Sequence, residues 1–293
     1  MIVNGVEIEN TYAEGFLMAG TRFLITADTL EWAREAGRKA TGFATSIIAC
    51  GCEADIESEF AQGPDGRPGV AVVIMSRDLE AVAEQALNRV GQCVMTCPTT
   101  ACFNGWDGGE SIDIGRSLRY FGDGRQISKT LFGKRYWRIP VMDGEFLVEE
   151  SFGTFSDGSD SNIILLGSDP RLARAAAERA ADAMRASGGV ILPFPGGIVR
   201  SGSKVGSKYK ALRASTNHSF CPTLRDDPES LLPENVNCVY EIVVCGALEK
   251  DVRRAMASGI RAAAREGIVR ITAGNYGGKL GKVHYPLWEI LSE

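Results

Sequence analysis

Asn162-Ile163-Ile164-Leu165-Leu166-Gly167-Ser168-Asp169 is a short apolar run ending on a helix-start signal, Asp169-Pro170, and it leads into an alanine-rich amphipathic stretch over residues 171–186. The same order occurs earlier. Phe23-Leu24-Ile25-Thr26-Ala27-Asp28 leads into a helical pattern over 30–40, with Asp28 as the start signal. A second pair follows: Val70-Ala71-Val72-Val73-Ile74-Met75 precedes a helix over 79–90, and Val239-Tyr240-Glu241-Ile242-Val243-Val244 precedes one over 249–265. Strand then helix, twice per half, gives each half the order β-α-β-β-α-β, the split βαβ arrangement with a mostly antiparallel sheet. The sequence therefore predicts an α+β protein of two related ferredoxin-like lobes, each an α/β sandwich. They are expected over residues 1–144 and 145–293, joined at the turn signal Asp143-Gly144-Glu145.

With 293 residues, 44% hydrophobic and 24% charged, the chain reads as a globular protein with ample core. No segment has the order of a signal peptide, and no apolar run reaches membrane-spanning length, so a cytoplasmic location without membrane contact is expected. Eight cysteines then read as reduced thiols. Cys93-x3-Cys97-x4-Cys102 and Cys50-x-Cys52 lack the paired spacing of zinc sites, and two histidines, His218 and His284, are too few for a multi-histidine metal centre. No metal is expected.

Charge is unevenly spread. The chain carries a net −5, yet from Ala183 to Arg225 there are seven cations (Arg185, Arg200, Lys204, Lys208, Lys210, Arg213, Arg225) and no acid. Within that stretch Pro193-Phe194-Pro195-Gly196-Gly197-Ile198-Val199-Arg200-Ser201-Gly202-Ser203-Lys204-Val205-Gly206-Ser207-Lys208 offers glycine backbone, serine hydroxyls and lysines. The spacing Gly197-x4-Gly202 approaches a phosphate loop, but Ser203-Lys204 reverses the required order, which argues against a nucleotide hydrolase. Two readings remain: a field that draws in a small polyanion, with Pro195, Gly196, Gly197, Ser203, Lys204 and Lys208 against it, or a solvated loop face. An isoelectric point near 5.3 excludes nucleic acid as the favoured partner.

Glu241 interrupts a β-branched run. Alternation places Val239, Glu241, Val243 and Cys245 on one face, so the carboxyl is either buried among apolar neighbours and tuned for proton transfer, or on an edge strand facing water. After the strand expected at 268–272 comes Ala273-Gly274-Asn275-Tyr276-Gly277-Gly278-Lys279, which suits close backbone approach to a ligand, with Asn275, Gly277 and Gly278 in the wall, a Tyr276 ring contact and Lys279 facing a carboxylate. A structural bend fits the same glycines. Gln92, in Gln92-Cys93-Val94-Met95-Thr96, lines a cleft or packs a helix end.

Ordered blocks along nearly the whole chain carry a resemblance: Ala40-Thr41-Gly42-Phe43, Asp65-Gly66-Arg67-Pro68-Gly69-Val70, Val90 to Thr96, Phe121-Gly122-Asp123-Gly124, Pro193 to Lys208, Ala214-Ser215-Thr216-Asn217, Cys238 to Val243, and Ala273 to Gly281. Together they resemble formylmethanofuran:tetrahydromethanopterin N-formyltransferases, including the formyltransferase subunit of bacterial formyltransferase/hydrolase complexes. The resemblance implies two tightly associated lobes and transfer of a formyl group between a methanofuran-type amine and N5 of tetrahydromethanopterin. Glu241, as the glutamate of the Val-Tyr-Glu-Ile-Val block, would be the acid/base. Both carriers are polyanionic substrates, and no covalently bound cofactor is implied. The implied partners are a second copy, as homodimer or homotetramer, and a formylmethanofuran hydrolase. Two other readings stay open: a non-catalytic pterin-binding or scaffold subunit, and a transferase that uses tetrahydrofolate.

Overall fold

The computed structural model describes residues 1–293, which pack as two units: Met18–Gly158, the central unit, and Met1–Leu17 with Ser159–Glu293, the C-terminal unit. The expected joint at 144/145 falls on a hairpin turn inside the central unit, between Lys134–Val141 and Gly144–Glu149, where Val141 pairs with Gly144. The long strand Phe152–Gly167 instead carries the chain from one unit to the other, and the first residues return to pair beside the last strand of the C-terminal unit.

Each unit contains the expected β-α-β-β-α-β order. In the central unit the strands are Leu17–Thr26, Cys52–Phe60, Gly69–Ser76 and Ala101–Asn104, with helices Leu30–Thr41 and Leu79–Arg89. Leu17–Thr26 lies between Gly69–Ser76 and Ala101–Asn104, and Gly69–Ser76 lies between it and Cys52–Phe60, all antiparallel. Numbered by order in the chain, the strands lie 4-1-3-2, as in a ferredoxin-like sheet. The C-terminal unit repeats this with Phe152–Gly167, Val190–Ile191, Cys238–Gly246 and Ile268–Thr272. Each fourth strand then gains a parallel neighbour: Gly144–Glu149 in the central unit and Val6–Ile8 in the other.

The helices form where the pattern placed them, with one change of cap. Asp78 and Asp169 accept the first free amides of their helices, at 2.8 Å from Ala81 N and 2.9 Å from Arg171 N. Asp28 does not cap. Thr29 takes that role, and Asp28 pairs with Arg67 at 3.0 Å. The alanine-rich helix Pro170–Ser187 buries Ala173, Ala176, Ala177, Ala180 and Ala181, small enough for close approach to the helix Glu249–Ala263. The contact is tight: a Cβ added at Gly259 would stand 2.2 Å from Cε of Met184.

The two sheets differ between strands two and three. In the central unit Cys52–Phe60 is long and a short hairpin returns it to Gly69–Ser76. In the C-terminal unit the second strand stops at Ile191, because Pro193 and Pro195 lack the N–H that would continue the ladder. The chain leaves the sheet and touches it again at Val199, whose N–H donates to Glu241 O at 2.7 Å and whose carbonyl accepts Glu241 N–H at 3.1 Å. Residues 192–237, with six of the seven cations of the cationic stretch, are thus an excursion laid beside the strand that holds Glu241. No helix is long and apolar enough to cross a membrane.

Candidate active site

Pairing fixes which side chains share the free face of the C-terminal sheet. Ile163, Leu165, Ile242 and Val244 point into the core under the helices. Asp160, Asn162 and Ile164 point the other way, opposite Cys245, Val243 and Glu241 in register. Glu241 therefore sits on the face away from the helices, as the alternation suggested, and it is no edge-strand glutamate, since its strand pairs on both sides.

Glu241 lines a cavity of about 320 Å3 together with Arg200, Asn217, Phe220, Cys221 and Thr223. That is at the small end for ligand pockets and suits part of a larger substrate. Part of Glu241 and of Asp160 meets solvent, yet both carboxyl groups are themselves enclosed. Burial pushes the Glu241 carboxyl above its usual range, opposed by a hydrogen bond from Asn162 Nδ2 to Oε1 at 2.7 Å. Burial likewise pushes Asp160 up to about 6, against the 2.6 Å hydrogen bond from Phe16 N–H, and the charge of Glu241 adds to the rise. Two carboxyls on one sheet face are thus both raised in proton affinity, as suits a general base.

The glycine-rich loop over 273–281 is held from beneath by a residue that sequence reasoning missed. Glu14, 4% exposed, receives N–H bonds at Oε1 from Tyr276 (2.6 Å) and Gly278 (2.7 Å) and at Oε2 from Leu280 and Gly281 (2.9 Å each). Burial opposes its charge, but the four amides together hold its carboxyl below the usual range. Gly274 N–H donates to Asn162 Oδ1 at 2.7 Å, and Gly277 N–H to Asn275 Oδ1 at 2.8 Å. These loop amides are spent inside the protein, so the glycines serve a bend: φ is 74° at Gly277 and 71° at Gly278. The Asn275 side chain also donates to Thr11. Lys279 is exposed, and Tyr276 is half-buried. The Tyr276 hydroxyl is pushed up by burial and by Glu241, Asp160 and Glu14 in turn, which keeps it protonated.

The cationic run divides in two. Arg225 donates to the carbonyls of Pro233 and Glu234 at 2.8 Å and ties down its own loop, and Arg185 reaches Asp182 on the helix. Arg200, Lys204, Lys208 and Lys210 form no salt bridge. Arg200 stands at the Glu241 cavity, while Lys204 and Lys208 line a neighbouring one of about 620 Å3 with Ser207, Ser215 and Thr216. Pro195, Gly196 and Gly197 make a tight turn against the helix Pro170–Ser187; a Cβ at Gly197 would meet Leu192 and Arg185 at 2.9 Å. Ser203 is exposed next to Lys204. Gln92 belongs to the central unit, exposed on the π-helical turn Val90–Val94. Of the eight cysteines, Cys52, Cys102 and Cys245 are buried.

The model of the formylmethanofuran-tetrahydromethanopterin formyltransferase family matches residues 1–141, and that of the family's proximal lobe matches residues 144–290. The formylmethanofuran--tetrahydromethanopterin formyltransferase of Methylobacillus flagellatus is 53% identical over 100% of both chains. Among solved structures, a chain of the formyltransferase/hydrolase complex from Methylorubrum extorquens, determined with methylofuran, superposes with a TM-score of 0.97 at 45% identity, covering 99% of this chain and 98% of that one. The formyltransferase from Methanosarcina barkeri gives 0.93 at 46% identity, covering 99% and 100%. By these matches the chain belongs to the formylmethanofuran-tetrahydromethanopterin formyltransferase family.

Proposed function

We propose that this chain transfers a formyl group between the amine of a methanofuran-type carrier and N5 of tetrahydromethanopterin, as an acyltransferase of one-carbon metabolism, with Glu241 moving the proton. The observation that carries this reading is the enclosed Glu241 carboxyl, raised in proton affinity, at the wall of a cavity flanked by unpaired cations. Attack of N5 on the formyl carbon requires loss of the N5 proton, and departure of the alkylamine requires gain of one. A single carboxyl of raised proton affinity serves both in turn. Charge developing on the formyl oxygen calls for fixed donors. The loop amides at 274, 276–278 and 280–281 are already engaged, which leaves side chains such as Asn217 and Arg200 of the same cavity.

Arg200, Lys204, Lys208 and Lys210 suit the carboxylates and phosphate of such carriers. The test is formyl transfer by the purified chain, with tetrahydromethanopterin and tetrahydrofolate compared as acceptors at low and high salt. Turnover with the methanopterin is expected, and KM for both carriers should rise with ionic strength. Turnover with folate alone would reassign the acceptor, no turnover would leave a scaffold role, and salt-independent KM would make the lysines a solvated face.

The reaction is reversible, and its direction is set outside the site. We place the protein in the cytoplasm and expect a closed homodimer or homotetramer, or a subunit beside a formylmethanofuran hydrolase. A cavity of about 320 Å3 does not enclose two long carriers, which favours further walls from other chains beside those of the neighbouring cavity. Light scattering over a dilution series should show activity lost with dissociation. A fully active monomer would contradict this.

A further inference from the structure

Asn162 joins the carboxyl of Glu241 to the backbone of the glycine-rich loop, and the direction of its two hydrogen bonds is forced. Gly274 N–H can only donate, so the Asn162 oxygen faces it, at 2.7 Å. The amide nitrogen is left for Glu241, 2.7 Å from Oε1. An NH2 group accepts nothing, so Oε1 must act as acceptor in both protonation states of Glu241. The exchangeable proton is thereby kept off Oε1.

We infer that Asn162 is a positioning residue that makes Glu241 a one-oxygen acid/base, with Oε1 tied and Oε2 carrying the proton from the attacking nitrogen to the departing one. This rests on the formyl-transfer reading above. In the first half of the reaction the N5 lone pair forms the new C–N bond, the N5 proton passes to Oε2, and the carbonyl π pair moves onto the formyl oxygen. In the second half that pair reforms C=O, the older C–N bond breaks, and the departing nitrogen takes the proton from Oε2. Both nitrogens are bonded to one tetrahedral carbon, so one oxygen meets each in turn without side-chain rotation.

The tie has a second consequence. A donor to the charged form lowers proton affinity, so Asn162 opposes the upward push that burial gives Glu241. The other groups that face Glu241 are Asp160 from the strand that bears Asn162, Tyr276 from the loop with Glu14 beneath it, and Arg200 and the Cys221 thiol across the cavity. They remain in place when Asn162 alone is changed.

Asn162→Asp separates positioning from mere loop support. It keeps an acceptor for Gly274 N–H, yet once ionised it has no donor for Glu241 and adds a like charge. The expected result is a kcat lower by about 10²-fold, the scale for a misplaced reacting group, with KM for both carriers little changed. The acid limb of kcat/KM should move to higher pH. Asn162→Leu, which removes both bonds, should show the same upward shift and decides the matter if the Asp variant does not fold. A kcat and an acid limb equal to the parent's would overturn the inference. Glu241→Gln is run alongside. If it is inactive while the folded Asn162 variants match the parent, only the positioning role falls; if it keeps parental turnover, the acid/base reading itself falls.

Discussion

Replacing Glu241 by Gln is expected to abolish most turnover while leaving the protein intact. Asn162 Nδ2 donates to one oxygen of Glu241, and a glutamine carbonyl accepts that bond equally well. The change therefore preserves the contact to the sheet face and removes only the ability to take and return a proton. General acid/base help of this kind is worth about 10²–10⁴-fold, and the loss should fall on kcat, with carrier binding retained. Thermal stability should hold or rise, since a buried ionisable group gives way to a neutral one. In the parent, activity should decline as pH falls through the raised pKa of Glu241, because the base must be ionised to accept the N5 proton. That limb should be missing from the residual rate of the variant. Steady-state kinetics across pH on both proteins, with melting curves, makes the comparison.

Glu14→Gln should damage the fold of the site more than its chemistry. Four backbone N–H groups converge on the Glu14 carboxylate, and hydrogen bonds to a charged acceptor are worth about 1.5–3 kcal/mol each before the cost of ordering. A glutamine keeps one acceptor oxygen and turns an NH2 group toward amides that can only donate. A loss of about 3 kcal/mol or more is expected, seen as a lower Tm and as faster hydrogen exchange at Tyr276, Gly278, Leu280 and Gly281. The parent carries a matching pH signature. The folded pKa of Glu14 is depressed, so its contribution is full above the ordinary carboxylate pKa and is lost as pH falls through the lowered folded value. The variant should show a flatter acid side of its stability curve. Unchanged exchange at those four amides would mean that the loop holds its shape without the carboxylate.

The element pattern was legible because it is local. Apolar runs, caps and amphipathic stretches announced both βαββαβ units, and the register that put Glu241 on the free face follows from simple alternation along its strand. The expected boundary at 144/145 coincides with that between the two family models, 1–141 and 144–290, whereas the division into packed units was not legible. Asp143-Gly144 is a true turn, but a turn signal does not say whether the strands it joins belong to one sheet, and the return of the first residues to the C-terminal unit is a long-range pairing without local mark. The partners of Glu241 were hidden for the same reason. Asn162 and Asp160 lie two apart in the polar stretch 156–162 just before the apolar run, and only pairing with the distant 238–246 segment reveals that they share its face. Glu14 lies in a four-residue strand, Tyr12–Gly15, far in sequence from the amides it binds. Glycines in 273–281 signalled a special backbone, and what they accommodate is that carboxylate.

One enclosed carboxyl, that of Glu241, is proposed to move the proton in formyl transfer. The most direct test is a pre-steady-state measurement with saturating carriers, comparing the parent with Glu241→Gln in a single turnover. Both proteins should bind both carriers with similar affinity, and formyl transfer in the variant should be slower by about 10²–10⁴-fold. A single-turnover rate equal to the parent's would contradict it and would move the proton transfer to another group.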